Sequence, residues 1–109
     1  MPEILEIPIE KEDDDPALKI RTVLEGVEMV ILFEWNTREA KWHASFYDAT
    51  EAPILVGIPL NINLELFVRF EIPELPPGKL ILYDTSDKSL EAGIADLGKR
   101  CRLYYEESV

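Results

Sequence analysis

The chain has 109 residues, 47% of them hydrophobic and 30% charged, a composition that predicts one folded domain over residues 1–109 rather than a disordered segment. Eleven basic residues oppose 22 acidic ones, and the net charge of −11 argues against nucleic acid or an anionic membrane surface as a partner. No apolar run approaches the ~18 residues of a membrane helix, and the N-terminal stretch does not resemble a signal peptide. Because Cys101 is the only cysteine, an intrachain disulfide is excluded and folding in a reducing cytoplasm is expected.

The first predicted element is a short strand at a sheet edge. Leu5, Ile7 and Ile9 alternate with other residues, and Pro8 lies within the run. Proline cannot donate to a strand ladder, so this strand is expected at an edge. The acidic run 10–16 that follows predicts a solvated connector, because it lacks the glycine and the distal glutamate of a calcium loop.

Residues 18–48 predict a three-stranded antiparallel meander. A two-residue turn at Glu25-Gly26 and a two- or four-residue loop centred on Arg38-Glu39 bring apolar residues together on one face. A one-residue slip would move that whole set to the other face, so the register is strongly specified. The two tryptophans of the second hairpin are expected to cap the core. The predicted pairs are Leu24–Val27, Thr22–Met29, Ile20–Ile31, Leu18–Phe33, Trp35–Trp42, Phe33–Ala44 and Ile31–Phe46.

The opposite face of this meander is less polar than an exposed sheet face usually is. It carries Glu28 and Glu34, but also Val30, Leu32 and Tyr47. Either a second layer or a partner is expected to cover such a face.

An unbroken alternation of apolar residues runs from Ile54 to Ile72. A straight strand of this length would far exceed the usual ~5–6 residues, so a bend is expected at residues 57–59 or 61–63, carrying the chain between sheets. A helix over Leu60 to Phe70 is the competing interpretation, which the β-branched residues disfavour. Further short strands are predicted at residues 80–83 and 100–106. The predicted fold class is all-β, a small antiparallel barrel or sandwich built around the meander.

Few residues have the spacing that catalysis requires. His43, Ser45 and Asp48 could supply a Ser-His-Asp set, but no nucleophile elbow or oxyanion loop accompanies them. One cysteine and one histidine cannot provide the four ligands of a structural zinc site. We therefore predict no enzyme activity, no catalytic or metal site, no cofactor and no small-molecule substrate.

Several segments together resemble a known family. They are Ile7-Pro8-Ile9, FEWNTREAKWHASFYDA at 33–49, ILVGIPLNINL at 54–64, PPGKLILYD at 76–84 and IADLGKRCRLYY at 94–105. In content and order, from about Glu3 to Tyr105, they resemble the small baseplate plug proteins of contractile-tailed bacteriophages. Similar sequences tend to carry an Asp-Gly-like turn where this chain has Glu39-Ala40, and alanine tolerates a positive φ poorly.

The resemblance implies a structural virion protein of the tail baseplate, assembled in the host cytoplasm. Such a protein would lie near the hub and central spike, fill a gap between larger subunits and bind no cofactor. Other baseplate, hub or tail proteins would be its partners. The resemblance identifies no contact residues.

Strand parity supplies the candidate partner-contact residues. Val30, Leu32, Tyr47 and Phe67 all lie on the face away from the main apolar set. The alternative for these residues is cover by a second sheet or by the N-terminal strand. The alternative for the whole protein is a free-standing acidic adaptor or inhibitor module, which would bind a basic protein with strong salt dependence.

Overall fold

The computed structural model describes residues 4–10, 12, 15–62, 66, 76–86 and 92–107. Over these ranges the chain is all-β, without a helix, and its strands form two antiparallel sheets. The strands are β1 (Ile4–Ile7), β2 (Ala17–Leu24), β3 (Val27–Asn36), β4 (Lys41–Asp48), β5 (Pro53–Pro59), β6 (Lys79–Asp84) and β7 (Cys101–Glu106). One sheet has the order β1-β7-β6 and the other the order β2-β3-β4-β5.

The meander of β2, β3 and β4 has the predicted register. Leu24 pairs with Val27 and Trp35 with Trp42, and every other pair predicted from the sequence is present. The first turn has two residues, Glu25 and Gly26, with φ of 49° and 81°. Positive φ at both central positions is the geometry of a type I′ turn, whose twist matches that of the flanking strands.

The second turn has the longer of the two predicted loop lengths. It spans the four residues 37–40, and Glu39 donates its backbone N–H to Asn36 Oδ1 at 3.0 Å. Ala40 has a φ of 52°, the left-handed conformation that glycine adopts without strain. The departure seen in the sequence at Glu39-Ala40 therefore falls at a position where an alanine is strained.

The long alternation bends and changes sheets, as predicted. Strand β5 ends at Pro59, and its pairing with β4 shifts register twice, next to Gly57, which has a φ of 72°. Beyond this irregularity Ile62 forms a parallel bridge with Leu82 of β6, and Leu66 donates its backbone N–H to Leu80 O at 2.8 Å. The chain thus passes from one sheet to the other. The competing helix lies mostly outside the described residues.

The apolar faces of the two sheets enclose one hydrophobic cluster. Cys101 belongs to it as a fully buried side chain, on the same face of β7 as Leu103 and Tyr105. Strands β2 and β5 are the outer strands of one sheet, and β1 and β6 are those of the other. Within the described residues the two sheets therefore form a sandwich-like arrangement, and the strands do not close into a barrel. The position of β1 confirms the predicted edge strand, which ends just before Pro8.

The two tryptophans cap this core at the end of the second hairpin. Their rings meet edge to face, with centroids 5.6 Å apart and planes at 64°. Trp42 is 1% exposed and donates its indole N–H to Gly93 O at 3.0 Å. This bond joins the four-stranded sheet to the turns that precede β7.

Tyr105 makes a second polar link between the sheets. Its buried ring extends from β7, and its hydroxyl donates to Glu25 Oε1 in the β2–β3 turn at 2.5 Å. The same hydroxyl accepts the Gly78 N–H at 2.7 Å, just before β6. Burial, and then the bond to Glu25, raises the pKa of the Tyr105 phenol above its ordinary value, so the group stays protonated and remains a donor.

Arg100 holds together the turns that lead into β7. Its Nη1 lies 2.7 Å from Asp84 Oδ2, and its Nη2 lies 2.9 Å from Asp96 Oδ2. The Asp84 side chain is 1% exposed, so the guanidinium neutralises a buried carboxylate. Hydrogen bonding to Arg100 lowers the pKa of Asp96, whose carboxylate also accepts the Gly93 N–H at 2.7 Å. Asp96 and Arg100, which both belong to the sequence segment DLGKR, therefore stabilise the fold.

Replacing Ala40 by glycine should stabilise the protein. Relief of the left-handed strain exceeds the entropy that glycine adds to the unfolded chain, so we expect a gain of about 0.5–1 kcal/mol. Ala49→Gly is the matched control, because Ala49 is exposed and its φ is not among the positive ones; it should lose about 0.5 kcal/mol. Urea unfolding measures both, and a loss of stability in Ala40→Gly would contradict the strain.

Removal of Arg100 should be far more costly than removal of its neighbour Arg102. Arg100→Met leaves the buried Asp84 carboxylate without its cation, at an expected cost of about 3 kcal/mol. Arg102 forms an exposed pair with Glu6 at 3.5 Å, and Arg102→Met should cost about 0.5 kcal/mol. Equal urea midpoints for the two variants would show that the buried pair does not stabilise the fold.

Candidate partner-contact surface

A groove on the outer face of the four-stranded sheet contains two of the predicted contact residues. Leu32 of β3 and Tyr47 of β4 line it, together with Lys19 of β2 and Glu51 of the β4–β5 turn. Its volume is about 240 Å³. Leu32 and Tyr47 are both half-buried, so each presents part of an apolar side chain between two charged groups. Such a groove suits a partner side chain that is apolar at its tip.

Ion pairs close one end of this face. Glu51 pairs with Lys19 and lies 3.9 Å from Arg21, and Arg21 donates to Ala49 O at 3.1 Å. These contacts link the β4–β5 turn to β2 across the outer side of β3. Hydrogen bonding to Lys19 lowers the pKa of Glu51, which keeps the carboxylate charged. Val30 lies on β3 between Arg21 and Tyr47 in the register and is only 1% exposed.

The four predicted contact residues therefore differ in their placement. Leu32 and Tyr47 come together at the groove. Val30 lies on the predicted face, but it is only 1% exposed, so it has almost no area to offer a partner. Strand parity predicted its face correctly but could not predict its burial. Phe67 lies outside the described residues.

The outer face of the three-stranded sheet carries a second apolar surface, which the sequence analysis did not identify. Ile81 and Tyr83 of β6 and Tyr104 of β7 lie on it, beside Ile4 of β1. Ile4 is 62% exposed and Tyr83 is 44% exposed. We call these four residues the aromatic face. The signal was present in the sequence, since both strands place a tyrosine out of phase with their buried residues.

The aromatic face has a defined shape. The rings of Tyr83 and Tyr104 meet edge to face, with centroids 5.7 Å apart and planes at 63°. A groove of about 90 Å³ runs between Ile4, Ile81 and the two tyrosines, and Lys79 and Glu106 complete its wall.

The residues considered for catalysis are engaged in local structure. His43 Nε2 lies 2.9 Å from Glu39 Oε1, and Ser45 Oγ accepts the Gly57 N–H at 3.0 Å, beside the irregular β4–β5 pairing. Asp48 Oδ1 accepts the backbone N–H groups of Thr50 and Ala52 and so shapes the β4–β5 turn.

In the described part of the chain, no three His, Cys, Asp or Glu side chains are grouped so that they could hold a metal ion. Over the same residues no helix has the length and apolar character needed to cross a membrane.

Apolar side chains on the outer faces of both sheets are typical of a structural subunit within a larger assembly. The comparison with known families agrees with this class. Residues 4–108 match the family described as "Cyanophage baseplate Pam3 plug gp18", and the chain belongs to this family of bacteriophage baseplate plug proteins. The resemblance drawn from the sequence segments is thereby confirmed. No curated protein matches the chain.

Truncation of Val30 and of Val23 compares a buried valine with an exposed one. Val30→Ala should lower the free energy of unfolding by about 2 kcal/mol, because it removes two buried methyl groups. Val23 has the same parity on the neighbouring strand and is 58% exposed, so Val23→Ala should change stability by less than about 0.5 kcal/mol. Urea denaturation of both variants is the measurement, and two equally small changes in stability would contradict the burial of Val30.

Proposed function

We propose that this chain is a structural, non-enzymatic component of a contractile phage tail baseplate. It packs near the hub and spike as a plug between larger subunits, after assembly in the host cytoplasm. The family match over residues 4–108 is the observation that carries this proposal. The proposed partners are other baseplate, hub or tail proteins.

The placement of the apolar surfaces supports a position between subunits. The groove at Leu32 and Tyr47 lies on the outer side of one sheet, and the aromatic face lies on the outer side of the other. The two surfaces therefore point in opposite directions from the shared core. A plug that fills a gap has to contact protein on more than one side, and this chain offers one apolar surface to each side.

The groove is the proposed contact site on the four-stranded sheet. Leu32 and Tyr47 supply its apolar area, and Lys19 and Glu51 supply a charged rim. Interfaces with an apolar centre and a polar rim have this arrangement, and tyrosine is enriched at their centres.

The positions of the reactive side chains support a non-enzymatic role. The thiol of Cys101 is fully buried, and the imidazole of His43 contacts Glu39. We propose no cofactor, small-molecule substrate, nucleic acid or membrane for this chain.

Virions purified from a gene-deletion phage and complemented with variants test the role and the groove together. Wild type and the control Val56→Ser, which changes a 60% exposed residue of β5, should both be found in the baseplate by quantitative mass spectrometry. The double variant Leu32→Ser/Tyr47→Ser should be incorporated at least about tenfold less, since each lost apolar contact costs about 1 kcal/mol or more. Its urea midpoint shows whether it is folded.

The alternatives give different results in the same experiment. Absence of the wild-type chain from purified virions would contradict the baseplate role. Normal incorporation of the double variant would contradict the groove alone. Tight, steeply salt-dependent binding to a basic protein outside the virion would favour the acidic adaptor hypothesis.

A further inference from the structure

We propose that the aromatic face docks onto an uncharged, apolar surface of a neighbouring baseplate subunit, and that this contact is insensitive to salt. The inference rests on the proposed baseplate role and adds the chemistry of one partner. It comes from the charge balance of the outer face of the three-stranded sheet.

The charged residues on this face neutralise one another. Glu6 pairs with Arg102 at 3.5 Å, and Lys79 lies opposite Glu106 in the β6–β7 register. Over the described strands β1, β6 and β7, two acidic and two basic side chains therefore give this face a net charge of zero, whereas the whole chain carries −11. The acidic excess lies elsewhere, and five of the six residues from 10 to 15, in the β1–β2 connector, are acidic.

This charge balance determines which kind of partner surface the face can bind. A basic partner would gain no net Coulomb energy here, because each carboxylate already has a cation beside it. An acidic partner would gain none for the same reason. An uncharged surface that exposes aliphatic or aromatic groups needs no counter-charge here and gains by burying the exposed areas of Ile4 and Tyr83.

A second copy of this chain is a poorer occupant. Each copy would bring a net charge of −11, and the resulting repulsion opposes self-association. The docking partner should therefore be a different subunit.

The face is also organised for binding in the free chain. Tyr83 and Tyr104 hold each other edge to face, so little side-chain entropy is left to lose when they dock. Tyrosine provides a large apolar area with a hydroxyl at its tip, which can bond to a backbone group of the partner.

Baseplates purified from the gene-deletion phage serve as the probe for this contact. Wild type, the double variant Ile4→Ser/Tyr83→Ser and the control Val56→Ser are added to them, and bound chain is quantified after sedimentation. The double variant loses the ring pair of Tyr83 with Tyr104, but both substituted residues are exposed, so it should stay folded with a urea midpoint only slightly below that of the wild type. We expect its affinity to fall at least about tenfold, with the control unchanged. The ratio of wild-type to double-variant affinity isolates the aromatic face from the charged rim of the groove, and it should change less than about threefold between 0.05 and 0.5 M salt.

Each result decides one point. Wild-type affinity in the double variant, or a steep fall with salt in the ratio of wild-type to double-variant affinity, would overturn the inference while leaving the baseplate role intact. Wild-type dimers that the double variant abolishes, seen by analytical ultracentrifugation, would identify a second copy as the occupant and also overturn it. Failure of the wild-type chain to bind would contradict the baseplate role itself, and the inference with it. If the deletion stops baseplate assembly, incorporation into complemented virions is measured instead, with the same expected and contradicting results.

Discussion

The register of the β2–β3–β4 meander is the constraint on which the rest of the structure depends. The two-residue turn at Glu25-Gly26 sets Leu24 opposite Val27, and the other apolar pairs between β2 and β3 follow from that pair. A slip of one residue would expose the core and bury the charged side chains. The same turn is held in place from the other sheet, because the Tyr105 hydroxyl donates to Glu25. Register, core and sheet packing are therefore coupled through a few residues at this turn.

The distribution of charge explains how an acidic chain can fit between protein surfaces. The charged side chains beside the aromatic face balance one another in charge, and beside the groove Lys19 and Arg21 accompany Glu51. Much of the excess negative charge lies in the β1–β2 connector. A chain of this design remains soluble before assembly through its acidic segments and can still bury its neutral faces afterwards. The Asp84–Arg100–Asp96 network, in which Asp84 is buried and the other two side chains are partly exposed, holds together the turns before β7.

The sequence predicts those parts of the fold that depend on period and turn length. Alternation predicted the hairpin register, the cap formed by Trp35 and Trp42, and the bend near Gly57. It could not separate Val30 from Leu32, because both have the same parity and differ only in burial, Val30 being 1% exposed and Leu32 half-buried. The aromatic face escaped prediction for a related reason. Its residues come from three strands far apart in the chain, and only the pairing of β1 and β6 with β7 brings them together.

A high-resolution cryo-electron microscopy structure of the virion baseplate tests the central claim most directly. The claim is that this chain is a structural plug held between subunits by the outer faces of both sheets. The map should contain this chain, with the groove at Leu32 and Tyr47 against one subunit and the aromatic face against an uncharged surface of another. A complete baseplate without density for the chain would contradict the account, as would a bound chain with both faces open to solvent.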